Sequence, residues 1–186
     1  MHDQKRQRGV DALLVHLWEP ILWRSLRVAN PNVRKNAAMI FVEAFPLQDP
    51  KLPAVELDAL LQMQFDSLQR LLRDDAVSVR VVATHGACRI LALYWELIPP
   101  ITAKALLTAV VRDLAHDAAA NTVRIAALAG VQYLLTENSS ATCIAMLSGV
   151  LHHLKHLIHD GSERVRAAFV ELCLVLSKVC PPLLCY

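Results

Sequence analysis

A valine–arginine pair recurs four times in this chain of 186 residues, as Val33-Arg34, Val79-Arg80, Val123-Arg124 and Val165-Arg166, at intervals of 46, 44 and 42 residues. Small residues follow each pair, as in VRKNA, VRVVA, VRIAA and VRAAF. Polar turn residues precede it: Asn30-Pro31-Asn32, Asp74-Asp75, Asp117 with Asn121, and Asp160-Gly161-Ser162. A period of forty-odd residues belongs to two-helix repeats. Each such unit buries its apolar side only against its neighbours, so the repeat restricts the fold to a stack of like parts.

Apolar spacing gives the same reading. Leu57, Leu60, Leu61, Phe65, Leu68 and Leu72 fall on one helical face. After Asp74-Asp75, a second face runs through Val79, Ala83, Gly86, Ala87, Ile90 and Tyr94, and Val123, Ala127, Gly130, Val131 and Leu134 repeat it. Breakers lie between the pairs of helices, at Pro46, Pro50 and Pro53, at Pro99-Pro100, and at Asn138-Ser139-Ser140. The pattern predicts eight helices, near 10–28, 32–45, 55–73, 76–97, 101–116, 121–136, 140–159 and 162–179. The expected fold is all-α: an α-solenoid of about four hairpins, near 10–45, 55–97, 101–136 and 140–179, in a single array over 1–186. The ending, 180–186, reads Cys-Pro-Pro-Leu-Leu-Cys-Tyr and is expected to be an irregular tail that gives the fourth repeat no polar cap.

The recurring charges have a structural explanation. Asp74, Asp117 and Asp160 stand just before second helices, where a carboxylate caps otherwise unpaired N–H groups. One turn into each second helix come Arg34, Arg80, Arg124 and Arg166, near that carboxylate and near its counterpart in the next repeat. A ladder of arginine–aspartate hydrogen bonds between successive hairpins is the expectation, with the small residues after each arginine allowing close helix approach.

Turn aspartate, V-R and then small residues together resemble the HEAT repeat. The first repeat departs by offering Asn30 and Asn32 in place of an aspartate, and the fourth by placing Phe169 where the others have alanine. More specifically, Leu22-Trp23-Arg24-Ser25-Leu26 through Asn30, Val33-Arg34, Asn36-Ala37-Ala38 and Ala44-Phe45-Pro46-Leu47-Gln48-Asp49-Pro50 resembles the G-type HEAT subunit of condensin II, and the resemblance extends to about Lys178. It implies an internal portion or short isoform of a much longer solenoid. It further implies a role in mitotic chromosome condensation in the nucleus, with contacts to a kleisin, to other condensin II subunits and to duplex DNA.

Other classes find little support. Charges such as Glu96, Arg124 and Glu171 interrupt every apolar segment before the roughly 18–20 residues that a membrane span needs. The opening Met1-His2-Asp3-Gln4-Lys5-Arg6-Gln7-Arg8 leads into no signal-peptide-like run. The 5 cysteines form no C-x-x-C pair, which argues against a disulfide framework or zinc knuckle and for a soluble, reducing, intracellular setting. No phosphate-binding loop, dinucleotide fingerprint, H-E-x-x-H or G-x-S-x-G is present. No catalysis, cofactor, metal or small-molecule substrate is expected. His152, His156 and His159 would share an α-helical face and could ligate a cation, but without nearby cysteines or carboxylates a solvated flank is the better reading. Cys88, Cys143 and Cys173 are read as small core residues.

Charge is distributed unevenly although the net charge is only +2. Near the turns inside the hairpins lie Arg24, Arg27, Arg34, Lys35, Arg70, Arg73, Arg80, Arg112, Arg124, Lys155, Arg164 and Arg166, against Asp74, Asp75, Asp113, Asp117, Asp160 and Glu163. Part of this bias comes from the preference of cations for helix C-termini, where Arg27, Arg73, Arg112 and Lys155 fall. The first hairpin stands out, because no acid lies between Glu19 and Glu43 and the Lys5, Arg6 and Arg8 arm lies upstream. Arg24, Arg27 and Lys35 are therefore the expected phosphate contacts, with Arg34 set aside for the ladder. The reading is a condensin II-type scaffold. The alternatives are a HEAT adaptor of another class (a transport receptor or phosphatase regulatory subunit) and, less favoured, an enzyme on a helical-repeat fold.

Overall fold

A computed structural model describes residues 10–49 and 51–179; Pro50, the Lys5, Arg6 and Arg8 arm and the tail 180–186 lie outside the described residues. The fold is all-α and solenoid-like, a succession of helical hairpins with no strand among the described residues. The chain forms two compact units, 1–86 and 87–186, divided within the fourth helix.

The first unit holds α1 (Val10–Ser25), α2 (Pro31–Ala44), α3 (Ala54–Leu71) and the first turns of α4 (Val77–Leu93). α1 and α2 pack as a hairpin. Asn30 starts α2 by accepting a hydrogen bond from the Asn32 N–H at 2.9 Å, and Pro31 occupies the first turn, where its missing N–H is no loss. The apolar face of α2 carries Ala38 and Phe41, both fully buried. Trp23 meets Phe41 edge-on with ring centroids 5.8 Å apart, Phe41 meets Phe45 at 6.3 Å, and Phe45 meets Phe65 at 5.8 Å. This run of rings ties α1, α2 and α3 together.

Gln64 sits inside that core, fully buried, and uses both ends of its amide on one residue. Its Oε1 accepts from the Leu47 N–H and its Nε2 donates to the Leu47 carbonyl, each at 2.8 Å. The α2–α3 connection cannot pair its backbone within a helix, so the side chain supplies the missing partner. Gln64→Leu keeps the volume but strands both backbone groups of Leu47. A loss of about 1–3 kcal/mol is expected, measured as a lowered urea midpoint. An unchanged midpoint would show that water reaches the connection.

In the second unit, α4 ends in a 3-10 turn at Trp95–Leu97. α5 (Pro100–Thr108) continues through a π-type stretch at Ala109–Asp113 and a 3-10 turn at Leu114–His116. Next come α6 (Asn121–Glu137), then α7 (Ala141–Leu151) with a 3-10 extension at His152–His159, and α8 (Glu163–Val179). First helices pack on first helices, α5 on α7, and second on second, α6 on α8. Val123, Ala127 and Leu128 on α6 and Val165 and Leu172 on α8 are fully buried. Asn138, also buried, donates to the Leu91 and Ala92 carbonyls at 3.4 and 3.2 Å and accepts from the Ser140 N–H at 2.9 Å. One side chain thus satisfies the end of α4 and shapes the α6–α7 turn.

The 3-10 extension changes which histidines align. With three residues per turn, i and i+3 eclipse. His153, His156 and His159 therefore share a line, while Leu154 and Leu157 form the buried one. The α-helical grouping of His152, His156 and His159 read from the sequence does not occur. Among the described residues, no group of three or more metal-ligating side chains comes together. Cys88 and Cys143 are buried, and burial pushes their thiols up to about 12 and about 11, so neither is a ready nucleophile. No helix among the described residues is long and apolar enough to cross a membrane.

Candidate nucleic-acid interface

The turns inside the hairpins are built on one recurring device. The turn residue accepts from the N–H two positions on: Asp74 from Ala76 at 2.9 Å, Asp117 from Ala119 at 3.0 Å and Asp160 from Ser162 at 2.8 Å, as Asn30 does from Asn32. The arginine that follows donates Nη1 back to a backbone carbonyl of its own turn. Arg80 reaches the Asp74 carbonyl at 2.7 Å, Arg124 the Asp117 carbonyl at 2.8 Å and Arg166 the Asp160 carbonyl at 2.7 Å. Arg34, in a turn without aspartate, reaches the carbonyls of Val28 and Ala29 at 2.9 and 2.7 Å. Within its own turn, then, the arginine meets carbonyls and leaves the carboxylate to the turn amides.

The rest of the guanidinium reaches forward one repeat. Arg34 forks onto Asp74, with Nε to Oδ2 and Nη2 to Oδ1 both at 2.7 Å. Arg124 meets Asp160 less squarely: Nη2 donates to Oδ1 at 3.1 Å, while Nε lies 2.9 Å from Oδ2 but off its N–H axis. Burial opposes ionisation of Asp74, yet the Arg34 fork, the Ala76 N–H and the Arg34 and Arg80 charges outweigh it and hold the carboxyl below its usual range. Asp160 is lowered in the same way, by the Ser162 N–H and by Arg124 and Arg166 against its burial.

Because Nε, Nη1 and Nη2 of Arg34 are all engaged, this side chain has little left for a ligand. Around it opens a groove of about 390 Å³, lined by Arg27, Arg34, Arg70 and Arg73 against only Asp74 and Asp75. Arg27 and Arg70 lie close enough to act on each other: partial burial first, then the Arg27 charge, lowers the Arg70 guanidinium against a weaker pull from Asp66. Arginine keeps its proton in this range, so Arg70 stays cationic despite its partial burial. Of the three residues read from sequence as phosphate contacts, Arg27 lines the groove. Arg24, in the last turn of α1, is exposed beside it in sequence, and Lys35 is half-buried in α2; neither is part of the lining. Arg70 was missed. The available signal was its distance of 43 residues from Arg27, one repeat along, which puts both at the ends of successive first helices.

Residues 1–49, which contain the first hairpin, match the family model described as the condensin II non structural maintenance of chromosomes subunit. Along almost its whole length the chain also aligns with curated proteins named condensin-2 complex subunit G2. That of Xenopus laevis is 40% identical over 188 residues, 97% of this chain. The chain is homologous to condensin II G2 subunits. Those of Homo sapiens and Mus musculus are 39% and 38% identical over the same share. The chain spans 16% of the length of each of these relatives. No solved structure matches it.

Proposed function

We propose that this chain is a non-catalytic HEAT-repeat scaffold segment of a condensin II complex, acting on nuclear chromosomes in mitotic condensation, binding the kleisin and other condensin II subunits and touching duplex DNA. Homology to the G2 subunits supports membership of the complex. Capture of a kleisin together with coiled-coil ATPase subunits by the tagged chain tests it, and their absence from the captured material would refute it. The DNA contact rests on one observation, the Arg27–Arg70 cluster in a groove whose acids are outnumbered. Arg27 is the central contact, joined by Arg24 and Lys35 as read from the sequence and by Arg70 from the lining of the groove. Arg34 stays with Asp74.

Phosphates neutralised by these cations release counterions, so log affinity should fall with log salt at about −0.9 per phosphate. In a salt titration of duplex binding, the chain carrying Arg24→Glu, Arg27→Glu and Lys35→Glu should lose most of the affinity at about neutral pH while keeping its helicity. Arg70→Glu alone should lower both affinity and slope. Equal binding by native and reversed chains would remove the first hairpin from the DNA contact.

A further inference from the structure

We propose that the second unit carries a separate, proton-linked contact for nucleic-acid phosphates, built from Arg112, His116, His153 and Lys155 at the inner turns of its two hairpins. The inference rests on the reading of the chain as duplex-binding, but its residues and its pH behaviour are its own.

The repeat register makes the first argument. Arg27, Arg70, Arg112 and Lys155 follow one another at 43, 42 and 43 residues, so the second unit repeats the pair of cations that the first unit presents in Arg27 and Arg70. A second row runs beside it: Arg73, His116 and His159, at 43 and 43 residues. Where the first unit has a guanidinium of permanent charge, the second has imidazoles, whose charge changes near neutral pH.

Geometry makes the second. His116 Nε2 lies 2.8 Å from the His153 carbonyl. A carbonyl only accepts, so Nε2 carries the hydrogen of this contact. The contact joins the end of the α5 extension to the start of the 3-10 extension of α7. There His152 and His153 lie with ring centroids 4.0 Å apart, and the Arg112 charge also acts on His153. Arg112 brings little net charge, because Asp113 takes it at 2.7 Å through Nε and 3.3 Å through Nη2. Lys155 is exposed and holds the fixed charge; the rest of the positive character depends on the imidazoles.

The surroundings agree. α7 adds no ionisable side chain except the buried Cys143. α8, which also packs on the 3-10 extension, begins with Glu163, Arg164 and Arg166, the last of them donating to the Asp160 carbonyl. On the extension itself stand Lys155, His156 and His159. Partial desolvation, then the charges of His152, Arg112 and His116, hold His153 below the ordinary imidazole range, with Asp113 pulling weakly the other way. A phosphate brought to this place reverses the balance by supplying the missing negative charge. Protonation and phosphate binding then favour each other, and affinity rises as pH falls.

The test measures duplex affinity of the full chain at constant ionic strength, at about pH 6 and about pH 8. The native chain is expected to bind roughly five- to ten-fold more tightly at the lower pH. His153→Gln, which leaves the His116 contact to the main-chain carbonyl in place, should remove most of that difference. Lys155→Glu, an exposed change, should weaken binding at both. The chain reversed at Arg24, Arg27 and Lys35 should bind more weakly but keep its pH dependence. Equal affinity at the two pH values, or full pH dependence in His153→Gln, overturns the proposal. If the reversed chain binds nothing at the lower pH, this contact falls and the first-hairpin contact stands. If reversal changes nothing while the pH effect persists, the first-hairpin contact falls and this one stands.

Discussion

Gly86→Ala will destabilise the first unit by about 1–3 kcal/mol, although alanine is ordinarily the better helix former by ~1 kcal/mol. A Cβ placed on Gly86 would overlap Val42 Cγ2 and lie 3.0 Å from Cγ1. Valine is branched at Cβ and holds one helical rotamer, so it cannot swing its methyl groups aside. The overlap must be relieved by moving α4 away from Val42 on α2. Val42→Ala in the same chain removes the obstructing methyl groups and should restore much of the lost stability; this coupling separates overpacking from any effect of alanine on the helix itself. Gly149, exposed in the last turn of α7 with nothing within 4 Å of its Cβ position, should behave in the opposite sense. Gly149→Ala is expected to stabilise by about 0.5–1 kcal/mol. Urea midpoints of the four chains give the comparison, and a stabilising Gly86→Ala would show that α2 and α4 are not held as described.

Asp74→Ala should lower stability by about 2–3 kcal/mol, more than Asp160→Ala. The first change leaves a mostly enclosed guanidinium, 15% exposed, without either of its two 2.7 Å carboxylate contacts, and it strips the Ala76 N–H as well. The second breaks a looser fork, in which only the 3.1 Å bond is well directed. Acid should have the same effect as mutation. Both carboxyls are held below their ordinary value of 3.8, so each contributes stability that is fully present above that value and is lost as pH falls through the folded one. Asp74→Asn should therefore narrow the gap between neutral and acid stability, and the difference from the native chain should disappear once pH is well below 3.8. Thermal midpoints from neutral pH to about pH 2 would show it. A pH profile identical to the native one would mean that the fork contributes nothing to folding.

The all-α, hairpin-by-hairpin fold was legible because the apolar positions and the V-R pairs recur with one period, and a period is insensitive to the details of any single turn. Equivalence in sequence is not equivalence in burial, however. Val79, Val123 and Val165 are fully buried, whereas Val33 is 40% exposed. The partner of each arginine was harder to read. Arg80 follows Asp74 by six residues, and that separation alone does not say whether it meets the carboxylate or the carbonyl of that residue. The turn amides take the carboxylate, and this competition is invisible in a list of residues. The winding of 152–159 was ambiguous for a related reason: Leu151, Leu154 and Leu157 recur every three residues, which suits a 3-10 segment as well as one side of an α-helix. Among the candidate phosphate contacts, Arg27 was visible from the lack of nearby acids. Arg70 was not, because Asp66, Asp74 and Asp75 stand close to it in sequence, and only the fold brings it near enough for the Arg27 charge to act on it.

The forks also bear on how such a segment responds to being pulled. Arg34 and Asp74 are 40 residues apart, and Arg124 and Asp160 are 36 apart, so each clasp closes one repeat and no more. Tension along the chain therefore loads the clasps one after another. When one opens it releases the slack of a single hairpin, and the released turn keeps its own hydrogen bonds, because the arginine's contact with its own carbonyls lies within that hairpin. The turn that must find its partner again is thus already formed, and re-closing requires only that one side chain meet one carboxylate. Stretching a single chain should then open the two clasps as separate events, each releasing about one hairpin of slack, and a single all-or-none opening would show that they do not act separately.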